Sequence, residues 1–130
     1  MQNKKRVLIV DDVSANIHFL MDILKEKYII IAATNGHKAL EIIYNKIKPD
    51  IILLDIIMPN MDGYEVCKIL RDDKNTSHIP IIYITSLEDE KVFKIKADDF
   101  ISKPFTKDIV LKKVQKYLNK FESKEKENLD

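Results

Sequence analysis

The residues of this chain that could do chemistry are aspartates that directly follow apolar runs. Asp11 and Asp12 follow VLIV at residues 7–10, and Asp55 follows IILL at residues 51–54. Three carboxylates in one cleft repel one another unless a cation neutralises them, and Mg²⁺ is a hard ion that takes oxygen ligands. The pattern therefore predicts a magnesium site. Capping of a helix is the alternative role for either of the first two aspartates.

Asp55 is also a candidate nucleophile. A carboxylate beside a metal ion at the mouth of a buried strand can attack phosphorus and form an acyl phosphate. Phosphoryl transfer depends mainly on positioning and on charge neutralisation, which a cation and a lysine can supply. Lys103 is the candidate lysine, and Thr85 and Ser86 are candidate hydroxyls beside the phosphoryl group. The plainer alternatives are an exposed surface lysine and ordinary turn residues.

Short apolar runs alternate with stretches of helical periodicity along the chain. The apolar runs predict strands at Val7–Val10, Tyr28–Ala33, Ile51–Leu54, Ile79–Ile84 and Phe100–Ile101. Because unbroken apolar strands are covered on both faces, we predict an α/β fold in which helices flank a doubly wound, five-stranded parallel sheet. Ligands of such sheets bind beyond the carboxyl ends of the strands, and all the candidate residues follow or end a predicted strand.

Composition and charge exclude several classes of protein. A chain of 130 residues suffices for one domain, which excludes a two-domain enzyme. The formal charge is 22 − 21 = +1, so no global field recruits nucleic acid or a membrane. The single cysteine, Cys67, permits neither an internal disulfide nor a cysteine zinc site, and no apolar run is long enough to span a membrane. We expect a soluble, cytoplasmic domain at residues 1–121, followed by a charged tail or the start of a linker at 122–130.

Four motifs together resemble the receiver domain of two-component response regulators. They are VLIVDD at 7–12, IILLDIIMPNMDGYEV at 51–66, PIIYITS at 80–86 and ADDFISKPF at 97–105. The resemblance implies the flavodoxin-like strand order 2-1-3-4-5. It also implies that a histidine kinase or a phosphotransfer protein phosphorylates Asp55, and that the domain then changes conformation to control an output domain or protein.

The resemblance further implies a role for each candidate residue. The implied oxygen ligands of Mg²⁺ come from Asp11, Asp12, Asp55 and the backbone carbonyl of Ile57. Lys103 would pair with the phosphoryl group and Thr85 would hydrogen-bond to it. As Thr85 moves, the ring of Phe100, the switch aromatic, would rotate inward. The Lys103–Pro104 bond matches one that is cis in the family.

Several positions depart from the family pattern. Phe100 stands where Tyr is common, and Ser86 stands where Ala is usual. Ile57 and Leu87 occupy the positions two past the phosphorylated Asp and two past the Thr, where polar side chains in this family help to orient the hydrolytic water. Because neither side chain can form a hydrogen bond, we expect a long-lived phosphorylated state. Ser86 is the other residue that could influence this lifetime.

The connection between Thr85 and Lys103 is short. The two residues are 103 − 85 = 18 positions apart, about four fewer than in the receivers that this chain resembles. The fourth helix, roughly Glu88–Lys96, should therefore lack one turn, which removes side chains from the face through which receivers usually dimerise. We expect a monomer in isolation. The last helix has an apolar seam at Val110, Val114, Tyr117 and Phe121. This seam either packs on the sheet or pairs with another helix in a coiled coil.

Two other functions fit part of the pattern. A phosphohydrolase of the haloacid dehalogenase type also uses an aspartate nucleophile on an α/β sheet. Such an enzyme needs a second Asp two positions further on, where this chain has Ile57. A degenerate receiver that acts only as a protein-interaction scaffold would lack part of the acidic pocket, and no part is missing here. We therefore expect a signalling domain rather than an enzyme.

Overall fold

One parallel sheet organises the chain, whose computed structural model describes residues 4–86 and 97–129, with side chains as far as residue 119. Within that part, five strands lie in the order β2-β1-β3-β4-β5, and every pairing is parallel. The strands are β1 (Arg6–Val10), β2 (Ile29–Ala33), β3 (Ile51–Leu54), β4 (Ile81–Thr85) and β5 (Asp99–Ser102). The predicted fold class and strand order are confirmed.

Helices connect the strands and cover both faces of the sheet. Those in the described residues are α1 (Ser14–Leu24), α2 (Gly36–Asn45), α3 (Gly63–Asp72) and the C-terminal helix (Lys107–Leu129). Polar side chains set two of the starts: Asn35 accepts a hydrogen bond from the Lys38 N–H, and Asp62 accepts one from the Glu65 N–H. Each satisfies a backbone donor that the first helical turn leaves without a partner. The helix expected at residues 88–96, and the dimerisation argument based on it, lie outside the described residues.

The two faces of the sheet form two apolar clusters, because successive side chains of a strand point to opposite faces. Leu8 and Val10 of β1 pack with residues of α2 and α3. Val7 and Ile9 of the same strand pack with residues of α1 and of the C-terminal helix. All four of these side chains are buried. The interior strand β1 is therefore covered on both sides, as its unbroken apolar sequence indicated.

The apolar seam of the C-terminal helix faces the sheet. Val110 and Val114 are fully buried against the cluster that contains Val7 and Ile9. They are consequently not available to pair with another helix, so the sheet-packing interpretation holds for these two positions. The side chain of Phe121 lies outside the described residues.

Arg71, in the last turn of α3, fixes where β4 and β5 begin. Its guanidinium donates hydrogen bonds to the carbonyl oxygens of Ser77 (2.9 Å) and Ile79 (2.7 Å), and to the Asp98 carboxylate (2.8 Å). The same Asp98 oxygen accepts the Ile81 N–H at 2.8 Å. The first residue of β4 and the residue before β5 thus share one charged anchor.

Candidate functional site at the carboxyl edge of the sheet

The three candidate aspartates meet where neighbouring strands end. Val10 and Leu54, the last residues of β1 and β3, are paired in the sheet, so Asp11 and Asp55 leave it side by side. One carboxylate oxygen from each of Asp11, Asp12 and Asp55 lies within 4.8 Å of the others. The predicted convergence of these three side chains is therefore present in the fold.

Lys103 reaches this acidic pocket from the loop after β5. Its ammonium nitrogen lies 3.3 Å from Asp11 Oδ2 and 3.7 Å from Asp55 Oδ2. Its backbone N–H donates to the Thr85 carbonyl at 3.0 Å, and its peptide bond to Pro104 is cis, as the resemblance implied. Lys103 is thus directed into the pocket, and the alternative of an ordinary surface lysine does not hold.

Asp11 is held in place by the start of α1. Its Oδ1 accepts the Val13 N–H at 2.9 Å, and its Oδ2 accepts a hydrogen bond from the Asn16 side-chain amide at 3.1 Å. The N-cap of α1 is Val13, and among the described residues no side chain caps this helix, so the capping alternative for Asp11 and Asp12 is wrong. Asn16 was not singled out from the sequence, because an amide in a first helical turn carries no distinctive signal.

The environment of Asp55 opposes its negative charge. Burial, followed by the nearby carboxylates of Asp11 and Asp12, raises the pKa of Asp55 from 3.8 to about 6. The ammonium of Lys103 and a hydrogen bond from the Ile57 N–H act in the opposite direction and only partly compensate. The pocket therefore has an excess of negative charge that a bound cation would relieve.

A glycine lets α3 begin directly against the backbone that carries Asp55. The Gly63 N–H donates to the Ile56 carbonyl at 2.8 Å. A Cβ atom at Gly63 would overlap the Asp55 carbonyl oxygen and would lie 2.8 Å from the Ile56 Cα. No larger residue fits here unless the backbone of the acidic pocket moves.

We expect Gly63→Ala to destabilise the fold by about 1–3 kcal/mol, because the obstructing atoms are backbone atoms that cannot rotate away. Gly36→Ala is the matched control at the start of α2. Its Cβ would meet side-chain atoms of Val66 at 2.8 Å and Met61 at 3.0 Å, which can repack. Urea unfolding of both variants measures the difference. Equal losses of stability would contradict the close approach at Gly63.

The remaining predicted residues are buried to different extents. Thr85 is buried at the end of β4, whereas the next residue, Ser86, is exposed. The Ile57 side chain is exposed beside Asp55. Phe100 in β5 is half-buried against the cluster that includes Tyr83, its partner on β4. Leu87, assigned with Ile57 to the phosphoryl lifetime, lies outside the described residues.

The fold and the pocket together define a receiver-type signalling domain: a doubly wound parallel sheet with carboxylates and one lysine gathered at its carboxyl edge. The family model for the response regulator receiver domain matches residues 7–115, and the chain belongs to this family of two-component systems. In the described part of the chain, no helix has both the length and the apolar character that a membrane crossing requires.

Relatives and solved structures agree with this family. The chain is 41% identical over 104 residues to the response regulator PleD of Caulobacter vibrioides, covering 76% of this chain and 23% of that protein. It is 38% identical over 109 residues to histidine kinase P4 of Formosa agariphila, covering 80% of this chain and 8% of that one. A CheY-like receiver domain protein from Methanospirillum hungatei superposes with a TM-score of 0.85 at 28% identity, covering 94% of this chain and 99% of its own. The chain spans less than a quarter of the two sequence relatives.

Proposed function

We propose that this receiver accepts a phosphoryl group on Asp55 from a histidine kinase or a phosphotransfer protein, with Mg²⁺ bound in the acidic pocket, and then changes conformation to control an output. The observation that carries the proposal is the convergence of Asp11, Asp12 and Asp55, with the ammonium of Lys103 beside Asp11 and Asp55. A cytoplasmic location, and action without direct contact to nucleic acid, belong to the same proposal.

The charge of the pocket supports a divalent cation. With Asp55 ionised, the three carboxylates and one ammonium sum to −3 + 1 = −2, which Mg²⁺ would balance. Asp11, Asp12, Asp55 and the backbone carbonyl of Ile57 would hold the ion, since all four offer the oxygen ligands that it prefers. When bound, Mg²⁺ neutralises negative charge on the phosphoryl oxygens.

The chain's own residues would carry out the transfer. A carboxylate oxygen of Asp55 attacks the phosphorus of the donor, the bond from phosphorus to the donor's imidazole nitrogen breaks, and the imidazole leaves with the bonding electrons. The Ile57 N–H orients the attacking carboxylate. Lys103 is close enough to Asp55 to pair with the transferred group, while Thr85 at the end of β4 would donate a hydroxyl to it.

The alternatives gain less support. The exposed Ile57 side chain supplies no general acid for a phosphohydrolase. A receiver that served only as a scaffold would not need its carboxylates and lysine to be gathered at one point. The two sequence relatives are much longer than the region that they share with this chain. Control of an output is therefore the part of the proposal that depends on proteins or segments other than this domain.

Labelling with acetyl phosphate tests the proposal. We expect intact-protein mass spectrometry to show one added phosphoryl group in the presence of Mg²⁺, and none with EDTA or in Asp55→Asn. Asp62→Asn is the matched control, because it removes a carboxylate from the same loop while Asn preserves the N-cap of α3. Labelling of Asp55→Asn, or labelling that EDTA leaves unchanged, would overturn the assignment.

A further inference from the structure

A charged pair occupies the outer backbone edge of β5 at Phe100. β5 ends the sheet, so in the described part of the chain no strand lies beyond it. The Phe100 N–H donates to Asp99 Oδ1 at 2.8 Å, and the Phe100 carbonyl accepts a hydrogen bond from Lys113 Nζ at 2.7 Å. Lys113 Nζ also donates to the same Asp99 oxygen at 2.8 Å. The two side chains therefore satisfy the backbone groups that a neighbouring strand would otherwise bind.

Lys113 also contacts the ring of Phe100. Its ammonium nitrogen lies 5.5 Å from the ring centroid, within the range of a cation–π interaction. Lys113 belongs to the C-terminal helix, so this one side chain joins that helix to both the backbone and the ring of Phe100. Its attraction to the ring favours the present ring position over any position further from the ammonium.

The pair is itself supported from the C-terminal helix. The single proton of the Tyr117 hydroxyl has two acceptors within hydrogen-bond distance, Asp99 Oδ2 at 3.0 Å and the Asp98 carbonyl oxygen at 2.9 Å. Burial opposes ionisation of Asp99, but hydrogen bonds from Lys113, the Phe100 N–H and Tyr117 together lower its pKa. Asp99 is thus a carboxylate at neutral pH, and Lys113 has a fixed charged partner.

We propose that Lys113 is a positioning residue of the switch, which anchors the backbone of Phe100 together with Asp99 and restrains its ring in the unphosphorylated position. This inference rests on the proposed function, in which Phe100 moves inward on phosphorylation. Because Lys113 Nζ lies at the outer edge of β5, inward movement would carry the ring away from the ammonium and break the contact. Because coupling between two equilibria is reciprocal, loss of Lys113 should make the activated conformation easier to reach.

The variant Lys113→Met tests this inference, because it removes the charge while keeping a long side chain. We expect its affinity for beryllofluoride at fixed Mg²⁺ to rise by about two- to fivefold, the value of one partly exposed cation–π contact. Nuclear magnetic resonance of the Phe100 ring should show a shift toward the activated signal before beryllofluoride is added. Lys113→Arg, which keeps both the charge and the donors, should behave like the natural chain.

Lys116→Met is the matched control. Lys116 lies on the same helix and its ammonium is 5.4 Å from the centroid of the Tyr117 ring, so it loses a similar contact that does not involve Phe100. Its beryllofluoride affinity should not change. Asp99→Asn is the second variant if Lys113→Met does not fold, and it should shift the affinity in the same direction because Lys113 loses its charged partner.

The outcomes separate this inference from the proposed function. If beryllofluoride leaves the Phe100 ring signals of the natural chain unchanged, the switch itself is wrong. If those signals respond but Lys113→Met binds beryllofluoride with the natural affinity, the switch stands and the role of Lys113 is overturned. An equal gain in Lys116→Met would also overturn it, since the effect would then be a general one of removing positive charge.

Discussion

In the absence of divalent cations, Asp55→Asn is expected to increase the free energy of unfolding by about 3 kcal/mol near pH 8, although it removes the residue on which the proposed function depends. The reason is the unfavourable environment of the carboxylate, whose pKa is raised from 3.8 to about 6 by burial and by Asp11 and Asp12. A difference of about two pKa units corresponds to about 3 kcal/mol between the two protonation states. Asparagine is neutral and avoids this cost.

The pH dependence gives the expected sign. Below pH 3.8 Asp55 is protonated in both the folded and the unfolded chain, so its effect on stability is then fully favourable. As the pH rises from 3.8, the unfolded chain releases the Asp55 proton before the folded chain does, which stabilises the unfolded chain. The free energy of unfolding therefore falls until the pH has passed about 6. The advantage of Asp55→Asn should therefore disappear near pH 4. Urea unfolding in EDTA at both pH values measures it, with Asp62→Asn as the control, and an equal advantage at the two pH values would contradict the argument.

The acyl phosphate of the natural chain is expected to decay slowly, and Ile57→Asn combined with Leu87→Glu should accelerate its hydrolysis by about tenfold or more. Ile57 lies two residues after Asp55 and is 59% exposed as a residue, so it presents apolar surface beside the phosphoryl position. An apolar side chain cannot orient the attacking water, and water positioning through polar groups contributes a factor of about a hundred or more when it is complete.

The decay experiment starts from phosphorylated protein from which the donor has been removed, at fixed Mg²⁺. Ile57→Val is the matched control, because it changes the shape of the side chain but adds no hydrogen-bonding group. The single variant Ile57→Asn shows how much of the acceleration comes from Ile57 and how much from Leu87. If the natural chain loses its phosphoryl group as fast as the doubly polar variant, shielding by Ile57 and Leu87 does not govern the lifetime, and the exposed Ser86 becomes the residue to test.

Most of the fold could be predicted because strands that are buried on both faces have unbroken apolar sequences. The run at 51–54 became β3 without any change of boundary, and all four of its residues are buried. The boundary at β4 was less accurate, since the apolar run begins at Ile79 and the strand at Ile81. Arg71 takes the Ile79 carbonyl, and Pro80 has no N–H to donate, so regular strand pairing begins at Ile81 although the Pro80 carbonyl still accepts the Ile52 N–H of β3 at 2.9 Å.

The site could be predicted in part for a similar reason. Parallel strands end at one edge of a sheet, so Asp11 and Asp55 had to be neighbours once the strands were placed. Contacts that cross from a helix to the sheet could not be predicted, because they depend on helix rotation and on side-chain reach. Lys113 illustrates this limit: in the sequence it is one of several lysines on an amphipathic helix, and only the fold brings it to Phe100.

The shared anchor of Arg71 and Asp98 has a consequence for how receivers of this kind can be re-engineered. It fixes the starts of β4 and β5 through contacts that lie entirely outside residues 87–96, and the strand pair is held in register from Ile82 opposite Asp99 to Thr85 opposite Ser102. Since the entropy of closing a connection grows only slowly with its length, we expect the register of this strand pair to withstand changes in the length of that stretch.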